Sequence, residues 1–232
     1  MLANDDGFRD VIALFSSDGK NQIAWFENPA HGGQPANGPW TVHVIDPNPG
    51  GDRANRDMSC MAFVLGDVNG DGRPDVVAAS QGEGPDAMHD PRQIGDGLVC
   101  YEAPAGPRTA RWIKRAVDPG VAWVHASSIQ SADFDGDGDL DLCYAEQDQS
   151  SGRRDGEPGR RLGIFFNLKG DGRTWKHVVL SRFPGDAAGG FNSKVEIIGH
   201  DRLPSVFTSL HGFFGDANPL VLWRNRGGDR EH

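Results

Sequence analysis

At 232 residues and 37% hydrophobic content, the chain has enough apolar material for a core, and its 32 Gly and 15 Pro cut that material into short segments rather than long helices. A formal net charge of −10 disfavours nucleic acid and anionic membrane surfaces as partners. No apolar run approaches the ~18 residues of a spanning helix, so no membrane insertion is expected, and the opening MLANDDGFRD has neither the basic nor the apolar region of a secretory leader.

Short β-branched or aromatic runs bounded by Gly, Pro, Asn or Asp read as strands, and they follow one another in a fixed order. Asp10 precedes VIALFS, followed by IAWFENP at 23–29 and TVHVI after Trp40. The second set is MAFVLG at 61–66, VVAAS after Asp75, LVCYEAP at 98–104 and IKRAV after Trp112. The third is SSIQSA at 127–132, LCYAEQ after Asp141, LGIFFN at 162–167 and KHVVL after Trp175. A degenerate fourth set is KVEIIG at 194–199, VFTSL after Ser205 and LVLWRN at 220–225.

Asp10, Asp75, Asp141 and Ser205 are 65, 66 and 64 residues apart. Such a period marks a repeat, with units at approximately 1–50, 51–120, 121–185 and 186–232. Each unit reads strand, acidic loop, strand, long loop, strand, short loop, strand. The expected fold class is all-β: a β-propeller of about four ~65-residue, four-stranded blades, standing alone or within a larger ring. Trp25, Trp40, Trp112 and Trp175 are expected to pack between blades. Cys60, Cys100 and Cys143 read as small buried hydrophobes, and His43 and His177, on outer strands, as solvated side chains.

Two loops carry the strongest chemical signal. DVNGDGRPD at 67–75 and DFDGDGDLD at 133–141 share D-x-[DN]-G-D-G-x-x-D. Side-chain oxygens stand at positions 1, 3, 5 and 9, and position 7 offers a backbone carbonyl. The candidate metal residues are therefore Asp67, Asn69, Asp71, Arg73 and Asp75, and Asp133, Asp135, Asp137, Asp139 and Asp141. Oxygen donors without His or Cys select calcium over zinc or copper. An EF-hand would continue with Glu at position 12 and a helix, but Ala78 and Tyr144 stand there within strand-like runs. Five carboxylates within residues 133–141 repel one another unless a cation offsets them. In the first loop Arg73 supplies part of that compensation. The copy at 2–10 keeps Asn4, Asp6 and Asp10 but has Leu2 in place of the leading Asp, so weak or no binding is expected there.

LGDVNGDGRPDVVAAS, SADFDGDGDLDLCYAE, the IAWFENP and LVCYEAP segments and the Trp-initiated strands together resemble the FG-GAP or VCBS-type repeats, propeller blades with a calcium loop between their first two strands. The resemblance implies that Asp67, Asn69, Asp71, Asp75, Asp133, Asp135, Asp137 and Asp141 are calcium ligands, in an extracellular or periplasmic setting. It also implies a binding or scaffold module for carbohydrate or a protein partner. The alternative it offers is a carbohydrate-active enzyme, a polysaccharide lyase or sugar dehydratase. About 14 strands is fewer than such rings commonly hold, so a larger parent chain or association of copies is expected to complete one.

The long loops, 80–97 and 146–163, and the connections between units fall opposite the acidic loops in this scheme, and insertions on one face usually mark the binding surface. Candidate ligand contacts there are Arg56, His89, Trp123, His125, Arg153, His211 and Phe213, joined by Arg53, Asp57, Arg154 and Phe214. Aromatic rings beside Arg and His suit the stacking and gripping of a small molecule or saccharide. No nucleophile elbow, phosphate loop, zinc spacing or dinucleotide fingerprint is present, and nothing in the sequence demands catalysis.

Overall fold

A computed structural model describes residues 6–17, 20–33, 37–47, 60–80, 98–117, 126–146, 160–183, 194–198, 203–209 and 220–226. Its strands form four antiparallel sheets in chain order. The first holds β1 (Val11–Ser17), β2 (Lys20–Glu27) and β3 (Thr41–Asp46). The second holds β4 (Cys60–Gly66), β5 (Asp75–Ser80), β6 (Leu98–Glu102) and β7 (Ile113–Ala116). β8 (Ala126–Ala132), β9 (Asp141–Glu146), β10 (Arg160–Asn167) and β11 (Trp175–Phe183) form the third, and β12 (Lys194–Ile198), β13 (Ser205–Ser209) and β14 (Leu220–Trp223) the fourth. Each sheet is a meander whose strands pair only with their neighbours in sequence.

The register repeats as well. The residue after each Asp10-type position pairs with an aromatic ring in the next strand: Val11 with Phe26, Val76 with Tyr101, Leu142 with Phe165, Val206 with Trp223. Successive residues of a strand point to opposite faces, and here both faces of the middle strands are covered. Val76, Ala78, Val99 and Tyr101 face the first sheet and meet Ile23 and Trp25. Val77, Ala79, Leu98 and Cys100 face the third and meet Leu142, Tyr144 and Phe165. Cys143, Ala145, Leu162 and Ile164 turn to the fourth and meet Val206, with Trp223 against them. The sheets therefore stack as layers with three apolar seams, which explains why β5, β6 and β9 read as unbroken apolar runs rather than alternating ones.

Trp25 and Trp112 lie in the first seam and Trp175 packs against the second, as expected. Trp40 differs: it is half-buried and belongs to none of the three clusters, because it stands just before β3, the outermost strand of its sheet. The two outer-strand histidines also differ from expectation. His43 stacks on Trp25 with ring centroids 4.1 Å apart, and its Nε2 is 2.9 Å from Glu27 Oε2. His177 Nε2 is 2.7 Å from the Tyr144 hydroxyl, and its ring stacks on Phe165. An outer strand still turns one face inward, and a buried Glu or Tyr there needs a polar partner. Cys100 and Cys143 are buried free thiols, and burial pushes both well above the usual thiol range. Cys60 lies at a strand end whose side chain is outside the described residues.

Candidate metal centre

Residues 67–75 join β4 to β5, and residues 133–141 join β8 to β9. Each loop curls round its own leading carboxylate. Asp67 accepts from the Asp71 N–H at 3.0 Å and the Gly72 N–H at 2.8 Å. Asp133 accepts from Gly136, Asp137 and Gly138 N–H at 2.6, 3.1 and 3.0 Å. Position 3 repeats the arrangement one step on, with Asn69 accepting from Asp71 and Asp135 from Asp137. Such a curl needs the left-handed backbone at positions 4 and 6, where Gly70, Gly72, Gly136 and Gly138 all have positive φ.

The ninth residue of each loop is buried and ties the loop to the sheet. Asp75 accepts from the Val68 N–H at 3.1 Å and, with its other oxygen, from the Ala103 N–H at 2.8 Å. Asp141 does the same with Phe134 at 2.8 Å and Asn167 at 2.9 Å. Asp10 accepts from Asn28, and Ser205 Oγ from Asn225, at the same places in the outer sheets. Burial pushes Asp75 up to about 6 and Asp141 up to about 7, against the pull of those backbone N–H groups, with neighbouring loop carboxylates adding to the rise. Asp135 and Asp139 are raised too, by desolvation first and Asp137 next.

In the 133–141 loop one carboxylate oxygen each from Asp133, Asp135 and Asp141 lies within 4.8 Å of the others. Three convergent hard oxygens, two of them on the carboxyls of Asp135 and Asp141 whose pKa burial raises, fit a divalent cation of the calcium type. Asp137 lies within hydrogen-bonding range of Asp135, and the Asp139 N–H donates to Asp137. The 67–75 loop has the same curl but a different charge balance. Arg73 donates from Nη2 to Asp71 Oδ2 at 2.5 Å and from Nε to the Ala103 carbonyl at 2.9 Å. In the first sheet a guanidinium from its neighbour takes part: Arg108 pairs with Asp6 at 3.2 Å and with the buried Glu27.

A third loop joins these two, although its sequence lacks the full acidic pattern. Residues 167–174, between β10 and β11, adopt the same curl, with Gly170 and Gly172 at positive φ and Asn167 Oδ1 accepting from the Gly172 N–H. Lys169 stands where a ligand would be. Asp171 is turned back on the Arg173 and Thr174 N–H groups, chiefly the former, which hold it below the usual carboxylate range. Gly170 lies against the Asp139 carboxylate, and Gly172 against Val68 and Asn69, so all three loops meet at one end of the second and third sheets. Asn167 Nδ2 also donates to the Val68 carbonyl across the seam, and Asn225 Nδ2 to the Phe134 carbonyl one sheet on. The recurring Asn of LGIFFN and LVLWRN was the available signal.

Residues 3–78 match the family model described as FG-GAP-like repeat. This chain carries an FG-GAP-like repeat. No curated protein sequence matches it. The matched FG-GAP segment runs from the first acidic segment through the 67–75 loop into β5, and the 133–141 loop reproduces its hydrogen bonding beyond the matched residues. The other candidates from the sequence, Arg56, His89, Trp123, His125, Arg153, His211 and Phe213, lie outside the described residues, as do Arg53, Asp57, Arg154 and Phe214.

Proposed function

We propose that the chain is a β-propeller binding or scaffold module stabilised by calcium, acting in an extracellular or periplasmic setting where calcium is plentiful. The observation that carries this reading is the convergence of Asp133, Asp135 and Asp141 to within 4.8 Å on a loop fastened to the sheet by Asp141. Calcium there neutralises carboxylates that otherwise repel. The 67–75 loop, with Asn69 for Asp135 and Arg73 beside Asp71, is the weaker site. The ligand, a saccharide or a protein partner, binds at the end of the sheets remote from the acidic loops. Support for that is the length of the loops there and their Trp, Arg and His content.

Chelation tests the metal. An ion held only by the folded chain stabilises it by mass action, by about 2.7 kcal/mol at a hundredfold excess over Kd. Excess chelator should lower the melting temperature, and Asp135→Ala should remove most of the difference between calcium and chelator. A melting curve indifferent to chelator refutes the assignment. Trp123→Ala and Arg56→Ala should weaken saccharide or partner binding at unchanged melting temperature, and normal binding by both refutes the assignment of faces.

A further inference from the structure

Each internal seam uses the same two faces. One sheet presents the Val76-type residue and its aromatic partner, and the sheet before it presents the Cys100-type residue. Across the sheets, Val76, Leu142 and Val206 stand at one repeated position and are 0%, 0% and 2% exposed. Val11, at that position in the first sheet, is 50% exposed. On the opposite face, Trp25, Cys100 and Ile164 occupy a second repeated position at 0%, 2% and 5% exposure, whereas Leu222 in the last sheet is 47% exposed. Among the described residues the stack thus ends in two open faces, and they are complementary kinds: the first sheet offers the face that elsewhere receives a preceding sheet, and the last offers the face that elsewhere receives a following one.

We propose that these faces dock head to tail on a second copy of this chain, the last sheet of each copy against the first sheet of the other. Continuity with the three internal seams argues for this occupant, because one copy carries both kinds of face that meet in each of them. Val42 and Val44 on β3 extend the first face, and Phe207 and Ile198 extend the last. Two docked copies close a ring of twice the four sheets, within the range of about four to eight blades that propellers use. Closure also removes exposed apolar surface of the kind that otherwise invites aggregation.

Sedimentation of the full chain in calcium and in chelator tests this apart from the metal reading. The expected species has twice the 25.0 kDa chain mass in calcium. Val11→Asp and Leu222→Asp should each give a folded monomer with near-unchanged circular dichroism, since both positions are half-exposed. Val42→Lys probes the first face independently. Mixing Val11→Asp with Leu222→Asp leaves one intact pair of faces and should restore association. A monomeric parent chain overturns the proposal. So does a dimer that survives either single Asp substitution, which would mean that like faces pair, or a mixture that stays monomeric.

Discussion

Asn167, at the end of β10 in the third sheet, donates its Nδ2–H to the carbonyl of Val68 in the acidic loop of the second sheet, 2.8 Å away and fully buried. The same side chain accepts from the Gly172 N–H, so one amide fixes its own turn and the neighbouring loop together. Asn167→Leu leaves a buried carbonyl and a buried N–H without partners, which costs about 1–3 kcal/mol for each such group. Chemical denaturation should show a loss of that order, larger than for Asn28→Leu in the exposed first sheet. Equal losses would mean that the bridge across the seam adds nothing.

Metal-free protein should lose stability as pH rises. Asp141 sits at about 7 and Asp75 at about 6 in the folded state, against 3.8 for the ordinary carboxylate. The folded chain therefore binds more protons than the unfolded chain between these values. Stability is greatest below about 4 as far as these two groups are concerned, and declines through pH 6 to 7 as both ionise. Calcium, bound as proposed, should remove the decline by favouring the ionised form. Melting temperatures across this window in chelator and in calcium check the sign, and Asp141→Asn should flatten the chelator curve. A chelator curve that is unaffected by Asp141→Asn would contradict the burial argument.

Gly163→Ala should destabilise through crowding alone. A Cβ at Gly163 would lie 2.7 Å from the Tyr144 ring, whose hydroxyl is held by His177. Either the ring or β10 must shift, at a cost of about 1–3 kcal/mol. Near-ultraviolet circular dichroism reads the ring, and a Gly163→Ala protein with parent stability would show that the seam yields freely.

Arg73→Gln should strengthen calcium binding at residues 67–75. The guanidinium occupies Asp71 Oδ2 and must leave before a cation uses that oxygen. An exposed ion pair is worth about 1 kcal/mol at most, so the gain is about fivefold or less. Calorimetric titration should show it without change in the 133–141 site, and weaker binding would mean that Arg73 supports the loop more than it competes.

Strand placement was legible because the signals are local. Asp75 and Asp141 end their loops in the same phase, and each apolar run after them is too short for a helix and flanked by turn formers. What escaped were contacts between units. Lys169 at a ligand position hid the third loop's kinship, although its Gly-Asp-Gly is identical to that of the other two. His43 and His177 sit on outer strands in the sequence, yet Glu27 and Tyr144 that need them come from inner strands. No single segment displays that pairing. Arg108 reaching Glu27 from the next unit is the same kind of relationship, carried by stacking rather than by spacing.

Among the described residues every seam joins a sheet only to the ones before and after it, and the two middle sheets alone have four strands and cover on both faces. Loss of order is therefore a one-dimensional process with an inside and an outside. The outer sheets, held on one side, should exchange their amide hydrogens first, and β5, β6, β9 and β10 last. The acidic loops at 67–75 and 133–141 belong to that slow interior, so calcium bound there as proposed would brace the part of the stack that comes apart last.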